Sequence, residues 1–175
     1  DGGMAGDELC RKIVRLATGY LSENGHLQML CNWAEYQSTD WRETLSVWLA
    51  GSGCDAWVMR SESRNVETYA STWIKHTEKD DTESFEGRFE DWTDYYRRLG
   101  IVSIGAGIIN MRRRQNGKNW LRADDAPEKM LGPCGKHVEQ LFNAFDFLFE
   151  LEDEAMLETC FTLSSDARIE RVCIP

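Results

Sequence analysis

Ile101-Val-Ser-Ile-Gly-Ala-Gly-Ile-Ile-Asn-Met-Arg-Arg-Arg114 has two readings, and the choice between them decides the fold. Gly105 and Gly107 after Val102 and Ile104 suggest a phosphate-cradling loop of the dinucleotide-binding kind. That loop needs a third glycine and a helix opening directly behind it, so that the helix N-terminus can hold the pyrophosphate. Here Asn110 stands where the third glycine would be, and Ile108-Ile109-Asn-Met111 continues the apolar run of a strand. The stretch therefore reads as one long strand whose small residues permit a bend or a close backbone approach.

Working outward, helical and strand-like segments alternate on the N-terminal side. Asp7 is placed to cap a helix bearing Leu9, Ile13, Leu16 and Tyr20 at helical spacing. His26 to Trp33 is nearly continuous in apolar residues, as in a strand covered on both faces. Asp40 with Glu43 three residues on resembles a capping box. It opens a helix carrying Trp41, Leu45, Trp48 and Leu49 and closed by Gly51 and Gly53. Asp55 to Met59 is a second short buried strand. Asn65 caps a helix with Val66, Tyr69, Ala70, Trp73 and Ile74, and Thr77 to Ser84 is a polar loop. A further helix aligns Phe85, Phe89, Trp92, Tyr95 and Leu99 and stops at Gly100.

On the C-terminal side Asn116-Gly117 predicts a type I′ hairpin turn, with Trp120 to Ala123 as the returning strand. Pro127 and Pro133 bracket a loop. Val138, Leu141, Phe142, Phe145 and Leu148 mark another amphipathic helix, and a short acidic helix starts at Asp153. Phe161 to Leu163 and Ile169 to Ile174 form a terminal hairpin on this reading. The element order is that of the second half of an α/β sandwich, which would leave one sheet edge unpaired.

Composition narrows the function classes. The 175 residues carry a net charge of -10, 42 % apolar and 11 % aromatic residues, and seven tryptophans. Those aromatics supply a sizeable core. A polyanion would be repelled on average, so general electrostatic nucleic-acid binding is disfavoured. The six cysteines are scattered in apolar runs and read as buried free thiols rather than a secreted disulfide framework. No signal peptide or membrane-spanning run is apparent, which makes the cytoplasm the expected location and a membrane partner unexpected. The start at Asp1, without methionine and close to a helix, suggests an excised portion of a longer chain.

No catalytic constellation is visible. Cys134 and His137 have ligand-like spacing but no second close pair, so no metal is expected. Asp80-Asp81, Asp124-Asp125 and Glu152-Asp153-Glu154 lack the histidine or nucleophile that acid/base work requires and read as solvated surface. Arg112, Arg113, Arg114, Lys118 and Arg122 flank the expected turn. A protruding basic hairpin of this kind could grip the phosphates of RNA or DNA. A charged edge that discourages strand pairing is the plainer reading.

The stretch Asp1-Gly-Gly-Met-Ala-Gly-Asp-Glu-Leu9, followed by Leu27-Gln-Met-Leu-Cys-Asn-Trp33, resembles a group of actinobacterial-type class I S-adenosylmethionine-dependent methyltransferases. In that group an Asp-Gly-Gly-x-x-Gly-Asp stretch follows an Asn-Pro-Pro-aromatic motif. Asp40-Trp-Arg-Glu43, Asp55-Ala-Trp-Val58, Leu99-Gly100, Met111 to Arg114, Trp120 to Pro127 and Gly132 to Val138 extend the resemblance over essentially the whole chain. It implies an α/β fold: the C-terminal half of a Rossmann-like methyltransferase sheet, contributing the last three strands with their helices, plus a small α+β C-terminal domain. Residues 1–115 would be the methyltransferase part and residues 116–175 the appended domain. The strand after Gly100 would be the seventh of the full sheet, antiparallel and inserted beside its neighbours.

The resemblance further implies that the cofactor loop and the Asn-Pro-Pro-aromatic motif precede Asp1. The parent protein would use S-adenosylmethionine to methylate nitrogen on rRNA, DNA or a protein glutamine. This chain would hold no catalytic or cofactor-binding residue, bind no cofactor and be inactive alone. Only Asp1, Gly2 and Gly3 would lie near the active site. Its partners would be the missing N-terminal half and a nucleic-acid substrate. A non-catalytic interaction module, dimerising through the exposed sheet edge, is the alternative.

Overall fold

The computed structural model describes residues 3–77, 82–114, 118–127, 133–163 and 167. The chain divides into two compact units, Asp1–Met130 and Leu131–Pro175. The first contains α1 (Glu8–Ala17), β1 (His26–Tyr36), α2 (Trp41–Leu49), β2 (Cys54–Asn65), α3 (Val66–Thr77), α4 (Thr82–Arg98), β3 (Ile101–Arg113) and β4 (Leu121–Asp125). The second contains α5 (Gly135–Glu150) and α6 (Asp153–Glu158).

The expected α/β class is observed, with a four-stranded mixed sheet in the order β1-β3-β2-β4. The long strand β3 lies between β1 and β2 and runs antiparallel to both. Its glycines explain how it fits. A Cβ on Gly107 would strike the backbone carbonyl of Met59, and one on Gly105 would enter the Trp33 indole and the Glu35 carboxylate. The Gly-Ala-Gly run is thus a close-approach device inside a sheet, opposite Trp33 and Cys31 of β1.

Two caps form as their sequences suggest. Asp40 Oδ1 accepts the Arg42 amide at 2.7 Å, and Asn65 Oδ1 accepts that of Thr68 at 2.8 Å. Asp7 stands at the N-cap position of α1 without capping it. Its Oδ2 instead accepts the Ala34 amide at 2.9 Å, tying the start of the helix to β1. Gly100, at φ +69°, ends the turn after α4 in a conformation that other residues rarely adopt.

The pleat sorts the core into two faces. Trp33, Ile109 and Met111 pack with Val14 of α1 and with Trp41, Leu45, Trp48 and Leu49 of α2. Ala34 points the other way and clusters with Ile101, Ile104 and Val66, against Tyr69 of α3 and Tyr96 of α4. The α1 face expected to be apolar is not the one that packs. Val14 is fully buried and Cys10 leans on the core, while Leu9, Ile13, Leu16 and Tyr20 remain exposed.

The strand after the predicted turn departs from expectation. β4 does not return along β3 as a hairpin partner. It pairs parallel to β2, from Ala56 with Leu121 to Arg60 with Asp125. The reason is occupancy: β3 already has β1 on one edge and β2 on the other, so neither edge is free for another row of hydrogen bonds. β4 thereby belongs to the first unit, although residues 116–175 were expected to form the appended domain. Asn116 and Gly117 themselves lie outside the described residues. Phe161 to Leu163 carry no strand, and Ile169 to Ile174, the other arm of the expected terminal hairpin, also fall outside the described residues. In the second unit Val138 and Phe142 are the buried positions of α5, Phe145 stacks on Phe149, and Phe147 meets Phe161 edge-on.

Candidate substrate cavity

A cavity of about 900 Å³ opens in the first unit between the Gly3–Asp7 segment, β1, and the helices α3 and α4. Its floor is strand backbone and side chain: Asn32, Trp33 and Ala34 of β1 with Ile101 and Ile104 of β3. The N-terminal segment is fixed there by the Asp7 bond to Ala34 and by the Gly6 amide, which donates to the Tyr95 hydroxyl at 2.7 Å. Both Gly3 (φ +70°) and Gly6 (φ +53°) use left-handed backbone to make the turn.

The walls are aromatic. Tyr69 and Trp73 of α3, and Trp92, Tyr95 and Tyr96 of α4, all face the space. Tyr96 is the hinge of this cluster, with ring centroids 6.3 Å from Tyr69, 6.3 Å from Trp92 and 5.5 Å from Tyr95. Burial, reinforced by the neighbouring phenols of Tyr69 and Tyr95, pushes its pKa up to about 12, still further from physiological pH than that of an ordinary tyrosine. The Tyr69 hydroxyl accepts from Asn32 Nδ2 at 2.9 Å, which locks α3 to β1.

Two chemically distinct groups share the wall with the rings. Cys10 is held at about 7 by its hydrogen bond with the Cys31 thiol, while Cys31 is driven the opposite way by the same bond and by burial. The charged residues lining the cavity are Asp7 and Asp91, and no lysine, arginine or histidine joins them among the described residues.

A second polar constellation braces the sheet. Glu35, almost fully buried, accepts from Arg60 at 3.0 Å, Ser63 at 2.6 Å and Ser103 at 2.9 Å. Burial alone would raise its pKa, but these three donors outweigh it and hold the carboxyl below its usual range. Arg60 continues to Asp125 at 2.6 Å, and Asp125 to Arg42 at 3.1 Å. Both guanidinium groups lie over the Trp41 ring, 4.5 and 4.7 Å from its centroid. A carboxylate so fully donated to is a structural anion rather than a proton carrier at neutral pH.

The residues expected from sequence scatter. Gly3 lines the cavity, whereas Asp1 and Gly2 lie outside the described residues. The arginine run is not a single protruding stripe. Arg112 is buried and pairs with the fully buried Asp55 at 2.7 Å. Arg113 donates to the Thr18 carbonyl, and the Arg114 amide donates to Gly53 at 3.0 Å. Arg122 pairs with Asp124, and Lys118 is exposed. Asp55 also reaches the Trp120 amide at 3.3 Å and thus helps seat β4.

The aromatic cavity was missed because its rings sit at helical spacing. That pattern is shared by a helix face that fills a core and one that lines a space. Cys134 and His137 belong to no group of three metal-ligating side chains among the described residues. No described helix is long and apolar enough to cross a membrane. No family model and no curated protein sequence matches the chain.

Proposed function

We propose that this chain is the C-terminal portion of a class I S-adenosylmethionine-dependent N-methyltransferase, serving as scaffold and substrate-docking half rather than as the methyl-transferring centre. The single observation that carries this is the strand order. A late antiparallel strand inserted between two parallel neighbours, β1-β3-β2, is the arrangement that the resemblance implies for the end of such a sheet. β1 ends the described sheet on one side, and the apolar stripe of α1 is exposed. Preceding strands and helices of the same domain would cover both.

The residues present do not fit the cofactor. Gly105 and Gly107 are packed inside a sheet, and no strand-to-helix glycine turn exists among the described residues to receive a nucleotide. The chemistry, transfer of a methyl group to an amino nitrogen of a nucleobase or a glutamine, would be supplied upstream of Asp1. The cavity beside Gly3–Asp7 is the natural place for the substrate, because in the resembling group this stretch follows the Asn-Pro-Pro-aromatic motif.

Two measurements test the reading. The coding sequence upstream of Asp1 is expected to encode Asn-Pro-Pro-aromatic within about twenty residues, the scale of one crossover connection. Calorimetric titration of the 175-residue chain with S-adenosylmethionine is expected to show no binding. Micromolar binding, or an upstream sequence with neither the motif nor a glycine loop, overturns the proposal.

A further inference from the structure

We infer that the aromatic cavity is a receptor for cationic side chains, so that the macromolecule docking there is a basic polypeptide rather than a nucleic acid. This names a substrate class for the site proposed above and rests on that reading only for the word substrate; the binding argument needs no cofactor.

The lining decides the sign of the occupant. Five aromatic rings of α3 and α4 border the space, with Asp7 and Asp91 at its wall and no cationic side chain among the described lining residues. The faces of tryptophan and tyrosine carry negative potential and attract guanidinium and ammonium groups, most strongly where water is partly excluded. Tyr96, like any tyrosine, is neutral at physiological pH, so it adds a ring face without adding a charge. Asp91 brings a carboxylate side chain to the wall; it is exposed and makes no hydrogen bond or ion pair with the other described residues.

The surroundings agree. Glu86 and Glu90 lie exposed on α4 beside Asp91. Of the three arginines on that helix, Arg97 is already paired with Asp94, Arg88 also has a partner, and Arg98 stands exposed at its last position, outside the cavity lining. The whole chain carries a charge of -10. A phosphate backbone entering the cavity would meet this field and find no cation among the described lining residues, whereas a polypeptide with several positive charges would be drawn in. Three of the arginines that could have gripped phosphate, Arg112, Arg113 and Arg122, are engaged with the protein's own carboxylates and carbonyls. At about 900 Å³ the cavity exceeds one side chain and suits a short run of residues with a cation among the rings.

The test titrates the full chain with a blocked nonapeptide of alternating glycine and arginine, and with the same peptide bearing neutral, isosteric citrulline. Calorimetry and tryptophan fluorescence provide the readouts. The arginine peptide is expected to bind about tenfold or more tightly than the citrulline peptide, with an affinity that falls as salt rises. Asp91→Asn and Trp73→Ala are each expected to weaken it by about tenfold, and Glu43→Gln, exposed on α2 and absent from the cavity lining, to leave it unchanged. Trp73 is 45 % exposed, so its loss should leave the fold intact, which circular dichroism verifies. Equal binding of the two peptides overturns the proposal. So does undiminished binding by both cavity variants, or displacement of the peptide by a single-stranded RNA oligonucleotide that binds more tightly. The peptide titration uses no cofactor, so its failure is separable from failure of the methyltransferase reading, which the upstream sequence judges.

Discussion

Single residues in this protein carry sharply different amounts of constraint, and its glycines show the range. A methyl group on Gly107 would meet the Met59 carbonyl and the Arg60 Cα, both backbone atoms that cannot swing aside. Gly107→Ala is expected to lower the unfolding free energy by about 1–3 kcal/mol or more. Gly87, inside α4, has open space where its Cβ would stand, so Gly87→Ala is expected to raise stability by about 0.5–1 kcal/mol through helix propensity. Urea melts of the two variants check both signs, and an equal effect would refute the packing account. Cys10 gives a second test. With its thiol held at about 7 by the Cys31 hydrogen bond, brief iodoacetamide treatment near neutral pH should alkylate Cys10 ahead of Cys31 and Cys54, whose values are raised. Mass spectrometry would show it, and Cys31→Ala should slow the labelling. The functional meaning of Gly105 and Gly107 was legible in sequence because a phosphate loop needs a helix behind it. The environment of Cys10 was not, because its partner is Cys31, on a different element.

At the scale of elements, local chemistry wrote the helices plainly and the pairings poorly. The Asp40 and Asn65 caps, the stop at Gly100 and the long run of β3 all depend on residues within a few positions of one another. The partner of β4 depends on which edges are already filled, and Trp120 to Ala123 holds no record of that. The same blindness explains the arginines: alternation along β3 sends Arg112 inward to Asp55, and only the register with β2 reveals the partner. The Glu35 brace joins β1, β2 and β3 and, through Arg60 and Asp125, β4. Its folded-state carboxyl pKa lies below the ordinary value of 4.5. The unfolded chain therefore binds the proton more readily, and the stabilisation is complete above that value and lost as pH falls through the folded one. Chemical denaturation of the protein and of Glu35→Gln should show the parent losing more stability between about pH 5 and pH 3. Parallel curves would mean that the brace contributes nothing.

For the whole molecule, the α/β class could be anticipated from element order, and the antiparallel insertion of the third strand was implied only by the resemblance; the cavity could be anticipated from neither. Helical spacing placed Trp73, Trp92 and Tyr95 on apolar faces, yet only the packing of α3 against α4 shows that those faces surround a space. The inserted strand also sets the timing of folding. β3 supplies two rows of hydrogen bonds, with Gln28 facing Asn110 and Ala56 facing Met111, yet it is made after both of the strands it joins. Until it emerges, β1 and β2 lack their common neighbour, and two apolar strands wait while α3 and α4 are made. Such late, sequence-distant pairing is slow and exposes sticky intermediates. Refolding from urea should accordingly be slower than for helical chains of this size, and chains truncated before Ile101 should aggregate. A strand that arrives after both of its neighbours leaves them dependent on chaperone-like protection until Ile101 and its successors emerge.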